Sequence, residues 1–167
     1  MVSVKKHVLK NILFGGVFFF VMLSMFVFEA EEPLKIGASM SPRRLRRGQE
    51  GYVILKISLG KDIAISSQPF FTIELASSEE LSFPKSFFSA SDLEIEIIEE
   101  EGKEYLNLKE PIQIPFTVKM GAQRGNHSLQ GKIKYFACSK EEAWCLKSTS
   151  KFSAGFYTSS RVYEKRN

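Results

Sequence analysis

The chain has 167 residues, with 23 lysines and arginines against 19 aspartates and glutamates and 44% hydrophobic residues, enough for one domain with a core of its own. Without Lys5, Lys6, Lys10 and Glu29 of the first thirty residues, 20 basic side chains face 18 acidic ones, so the remainder is nearly neutral and carries no nucleic-acid footprint. Only one of the two histidines, His127, lies outside the N-terminal segment, which excludes a His-supported nucleophile or a histidine-rich metal site, and no cofactor is expected.

Residues 1–30 place three lysines ahead of an apolar run from Ile12 to Phe28, and acids follow at Glu29, Glu31 and Glu32. A helix of 17 such residues, rising about 1.5 Å each, just reaches the length needed to cross a hydrocarbon core. A cut after Ala30 would set Phe28 where a signal peptidase requires a small side chain, so an anchor is at least as well supported as a cleaved signal. The lysines precede the run, which predicts a cytoplasmic N-terminus and an extracytoplasmic or periplasmic remainder tied to the inner membrane.

Residues 31–50, with "SPRRLRRGQEG", read as a linker and entry loop, and the arginines as a solvated stretch near the membrane. From Gly51 the pattern is strict alternation. In "GYVILKISL" Val53, Leu55, Ile57 and Leu59 share a face, and Phe71, Ile73 and Leu75 repeat it. "LEIEIIEEEGKEYLNL" predicts a hairpin with a turn near Gly102 and Lys103, its Leu93, Ile95 and Ile97 alternating with acids. "IQIPFTV" aligns Ile112, Ile114, Phe116 and Val118, and Pro115 marks an edge or a bulge because it has no N–H. The last pair runs from about Leu129 to Ala137 and from about Leu146 to Phe156, and residues 158–167 form a polar tail. Seven or eight short strands over residues 51–157 predict an all-β fold, an immunoglobulin-like antiparallel β-sandwich preceded by one N-terminal hydrophobic helix, with a small barrel as the alternative.

The two cysteines lie in "KYFACSKEEAWCL". Alternation sets Lys132, Lys134, Phe136 and Cys138 on the face opposite to Leu129, Ile133 and Tyr135, and Cys145, Lys147, Thr149 and Lys151 opposite to Leu146, Ser148, Ser150 and Phe152. If the strands pair with Cys138 opposite Cys145, Phe136 faces Lys147 and Lys134 faces Thr149. Directly opposed Cα atoms, about 4.5–5.5 Å apart, are within reach of a disulfide. The pair is then expected on an outward, accessible rim near a sheet end. Such a pair is either a structural staple or an exchanging dithiol, and the residues leave both open. Spacing and compartment favour the staple.

"IKYFAC" followed by "AWC" resembles the N-terminal periplasmic domain of the DsbD thiol:disulfide interchange family, over roughly residues 34 to 157. The resemblance implies an immunoglobulin-like domain in which Cys138 and Cys145 are a redox pair, with Cys145 forming the mixed disulfides. It implies a multi-span membrane thiol transporter or a thioredoxin-like protein as electron donor, and an exported oxidoreductase or apocytochrome as acceptor. Trp144 and Phe136 are then partner-contacting or shielding residues, and Glu100 to Tyr105 or Phe83 to Phe88 is the cap over the cysteines. The chain departs from the family pattern in a six-residue gap, where five is usual, and in "LKS" after the second cysteine. The alternative reading is a non-catalytic exported β-sandwich, a binding or assembly module with a structural disulfide.

Overall fold

The computed structural model describes residues 33–142 and 144–164. The predicted helix of residues 1–30 lies outside them. In chain order the strands are β1 (Leu34–Ser41), β2 (Arg44–Arg47), β3 (Glu50–Leu59), β4 (Ile63–Ile65), β5 (Thr72–Leu75), β6 (Leu81–Ser82), β7 (Phe87–Ser89), β8 (Ile97–Glu100), β9 (Lys103–Leu106), β10 (Ile112–Val118), β11 (Gly125–Ser139) and β12 (Cys145–Val162), with a 3-10 turn at Ser91–Leu93. The fold is the predicted all-β sandwich. One sheet runs β1-β3-β10-β6 and the other β2-β12-β11-β5-β7, with β4 also paired to β11 and β8–β9 forming a separate two-stranded ribbon. The first sheet has the order of the A, B, E and D strands of immunoglobulin domains, and β12, β11 and β5 fall in the order G, F, C.

The core forms because alternation sends one side of each sheet inward. In β10 every second residue, Ile112, Ile114, Phe116 and Val118, is buried, and the residues between them are exposed. Val53 and Leu55 of β3 meet Ile73, Leu129 and Ile133 of the facing sheet, each burial contributing about 1.5–3 kcal/mol. Tyr135 is fully buried as expected, and its hydroxyl is 2.9 Å from the Ser150 Oγ, so the polar end is satisfied inside. Gly131 lies opposite Phe152, whose ring occupies the space a Cβ would need. β10 pairs with β6 only at Thr117 and Val118, so at Pro115 it is paired on the β3 side alone, the place where a missing N–H is tolerated.

The expected boundaries require correction. Residues 31–50 are not a linker: β1 pairs along its whole length with β3, and β2 pairs in parallel with β12. Their signal is weak because β1 alternates through Gly37, Ala38 and Ser39, and β2 buries one apolar residue, Leu45. The sandwich therefore begins before Gly51. It also continues past Phe156, since β12 extends to Val162 against β2 and residues 158–162 are strand. β1 carries the chain away from Pro33, so the arginines of 43–47 lie at the end of the sandwich opposite to Pro33.

The predicted hairpin is present as β8–β9, turning through Glu101 and Gly102, both at positive φ. Its apolar row meets the core only in part: Leu93 and Ile95, ahead of β8, are half-buried against it. Leu93 sits in the 3-10 turn and Ile97 is 54% exposed.

Candidate functional site

β11 and β12 pair in the predicted register, with Cys138 opposite Cys145, Phe136 opposite Lys147 and Lys134 opposite Thr149. The cysteines are joined as a disulfide, their Cα atoms 4.1 Å apart. Accessibility is where expectation and structure part. Cys145 is exposed, but Cys138 is only 3% exposed. Both belong to one cross-strand row. β12 has no further neighbour at this end, because β2 covers it only from Tyr157 onward. β11 is flanked on its other side by β4, with Ala64 beside Cys138. Tyr105 of β9, with Ile98 of β8 against its edge, packs onto Cys138 and Ala64 in a small apolar cluster separate from the main core. The outward face is therefore roofed at Cys138 and open at Cys145.

The roof is the Glu100 to Tyr105 stretch, one of the two candidate caps; Phe83 to Phe88 packs elsewhere, with Phe88 in the main core and Phe83 against Phe116. It is tied down at several points. The Ser67 amide donates to the Glu104 carbonyl at 3.2 Å, and the Ser67 hydroxyl donates to the Glu104 carboxylate at 3.1 Å. Lys140 pairs with Glu100 and lies 5.8 Å from the Tyr105 ring centroid, an ammonium over an aromatic face. A cleft of about 270 Å³ beside it is lined by Ile57, Ile63, Ala64, Tyr105, Leu108 and Lys140, among others.

Trp144 is half-buried and packs against the main core, and its indole N–H donates to Glu142 at 2.8 Å. Its backbone carbonyl accepts from the Ser139 amide at 3.1 Å. It closes the loop between the cysteine strands. Phe136 is also half-buried, edge-on to Phe70 with ring centroids 5.2 Å apart, and Lys147 lies 5.3 Å from the Phe70 centroid. Phe136 belongs to the row of the sheet beside the cysteines, and Phe70 had no signal in the sequence because it precedes β5 in an irregular stretch. His127 of β11 has its ring 3.4 Å from Glu80, just ahead of β6, and 2.8 Å from the Thr158 hydroxyl of β12. Among the described residues, no group of three or more His, Cys, Asp or Glu side chains could hold a metal ion.

No family model matches the chain, and no curated protein matches it. Among solved structures, the chain is similar to a cohesin module from a Clostridium perfringens family 33 glycoside hydrolase, at 11% identity and a TM-score of 0.40, covering 75% of this chain and 94% of that one. It is also similar to BcpA, the major pilin subunit of Bacillus cereus, at 12% identity and a TM-score of 0.33, over 76% of this chain and 40% of that one. A third is the CooA pilin subunit from enterotoxigenic Escherichia coli, at 8% identity and a TM-score of 0.25, over 75% and 99% of the two chains. Likenesses this distant carry no functional information. They do not include a thiol:disulfide interchange domain, so the expected kinship with the DsbD family is corrected, and with it the thiol-transporter or thioredoxin-like donor, the oxidoreductase or apocytochrome acceptor and the exchange chemistry drawn from that kinship. What stands is a β-sandwich whose longest hairpin is closed by an intrachain disulfide.

Proposed function

We propose that this chain is an exported, non-catalytic binding or assembly module, displayed outside the cytoplasm by its N-terminal segment and held at one end by a structural disulfide. The observation that carries the reading is the placement of Cys138, buried between Ala64 of β4 and Tyr105 of the β8–β9 ribbon. The bridge thereby fixes three pieces of chain at one corner: the β11–β12 hairpin, the short strand β4, and the ribbon above them. A sulfur packed in this way serves cohesion, and attack by a foreign thiolate at Cys138 requires the ribbon to lift. Support for the compartment comes from the lysines, apolar run and acids of residues 1–32 and from the oxidised pair itself.

The test is the reduction potential of the bridge in the full chain, read by equilibration against thiol buffers. A structural bridge gives a value below about −300 mV, whereas exchange proteins lie higher. In cells, Cys138→Ser and Cys145→Ser chains are each expected to trap no exported protein as a mixed disulfide. A potential in the exchange range together with trapped partners on one of the two variants overturns the proposal.

A further inference from the structure

The two ends of the sandwich carry opposite charge. At the end with the disulfide, the ribbon presents Glu99, Glu100, Glu101 and Glu104, with Glu141 and Glu142 in the adjoining loop; Lys61, Lys103, Lys109 and Lys140 oppose them. At the other end Arg43, Arg44, Arg46, Arg124 and Arg161 are exposed, opposed by Glu50, Glu164 and Glu80, the last already 3.4 Å from the His127 ring. Here an open cleft of about 570 Å³ is lined by Arg43, Arg44, Asn126, His127, Gly155 and Tyr157, among others. Its floor is Gly155, where a Cβ would meet nothing within 4 Å. Arg124 Nε donates to the Tyr157 hydroxyl at 3.0 Å and fixes one wall.

Two details point to an occupant. Among the described residues Arg43 and Arg44 make no ion pair, and neither do Glu99 and Glu101. Moreover, Glu99 and Glu104 are directly opposed across the ribbon, a like-charge pairing that costs stability in an isolated sheet. A cationic surface placed against the ribbon relieves that repulsion. The Arg43–Arg44 cleft of the same copy cannot supply it, because the 12 steps of β11 from Asn126 to Cys138 separate the two ends by about 40 Å, several screening lengths at physiological salt. A narrow tip, with open space where a Cβ on Gly102 would sit, suits an open cleft.

We propose that the acidic β8–β9 tip of one copy docks into the Arg43–Arg44 cleft of a second copy, a head-to-tail contact between unlike surfaces. It rests on the assembly reading above and names the partner. Because the two surfaces lie at opposite ends, a docked pair keeps one free tip and one free cleft, so the contact propagates as an open series.

The experiment is sedimentation velocity of the full chain in detergent micelles at low salt, comparing wild type with Arg43→Gln/Arg44→Gln and Glu99→Gln/Glu101→Gln. Wild type is expected to form species larger than dimers as concentration rises, and to lose them in about 0.5 M salt. Each double variant alone is expected to associate at least tenfold more weakly, with no fall in melting temperature because all four side chains are exposed. An equimolar mixture of the two variants is the decisive sample: each molecule keeps one intact surface, so the mixture is expected to stop at pairs. A wild-type chain that stays single, variants that associate like wild type through the N-terminal segment, or a mixture that grows past pairs each overturns the inference. A failure there leaves the disulfide reading intact, since the reduction potential tests that separately.

Discussion

The molecule contains two hairpins that alternate apolar and polar residues, and they have opposite fates. β11–β12 is the spine of one sheet: its inward residues Leu129, Ile133 and Tyr135 are fully enclosed, and its lysines face outward, Lys132 and Lys134 both paired to Glu74. β8–β9 is laid on the outside. Ile98 and Tyr105 cover Cys138, while Ile97 is left in solvent. Alternation states that a hairpin has two unlike faces, but not what each face meets. The long hairpin is built into a sheet that faces the other, with β5 and β4 beside β11 and β2 beside the far end of β12, whereas the short ribbon has no strand partner beyond the single bridge between Ser66 and Tyr105.

This contrast can be broken by substitution. Ile133→Ala, in the long hairpin and fully buried, is expected to cost about 2–5 kcal/mol through lost burial and a cavity, read by denaturant unfolding. Removing the bridge with Cys138→Ser and Cys145→Ser together is expected to cost about 2–3 kcal/mol, since the loop it closes is short; a loss above that range would show that the bridge also anchors the ribbon. Tyr135→Phe removes the partner of the buried Ser150 hydroxyl and is expected to cost about 1–2 kcal/mol. Ile97→Ser in the ribbon is expected to stay within about 0.5 kcal/mol. Amide exchange sharpens the same comparison: amides of β11 are expected to open only with global unfolding, and those of β8–β9 well before it. The smallest effect concerns the turn just ahead of the ribbon. The Lys85 ammonium, then the Ser89 amide and hydroxyl, hold the Asp92 carboxyl below the usual carboxylate range. Its contribution is present above the unfolded value near about 4 and is lost as pH falls through the folded one, so Asp92→Asn is expected to flatten the acid limb of a stability–pH curve.

Much of this was legible. Val53 and Leu55, the four inward residues of β10 and the cysteine register all followed from period two, because each lies in a strand long enough to show several repeats and paired on the face in question. What escaped notice had a short or diluted pattern. β6 and β7 are two and three residues long, and β1 passes through small side chains. Leu146 illustrates the limit from the other side: it alternates with the inward set of β12 yet is 59% exposed, since the strand outruns the opposing sheet. Burial of Cys138 was not legible from its own strand at all, as it depends on Tyr105, a residue 33 positions earlier in the chain.

The routing of the first and last strands has a mechanical consequence. Pro33 and Tyr163 leave from opposite ends, and β2 runs parallel to β12 beside the exit. Tension applied between those two points slides β1 along β3 and β2 along β12, so the transverse bonds of each ladder share the load and yield together instead of peeling one at a time.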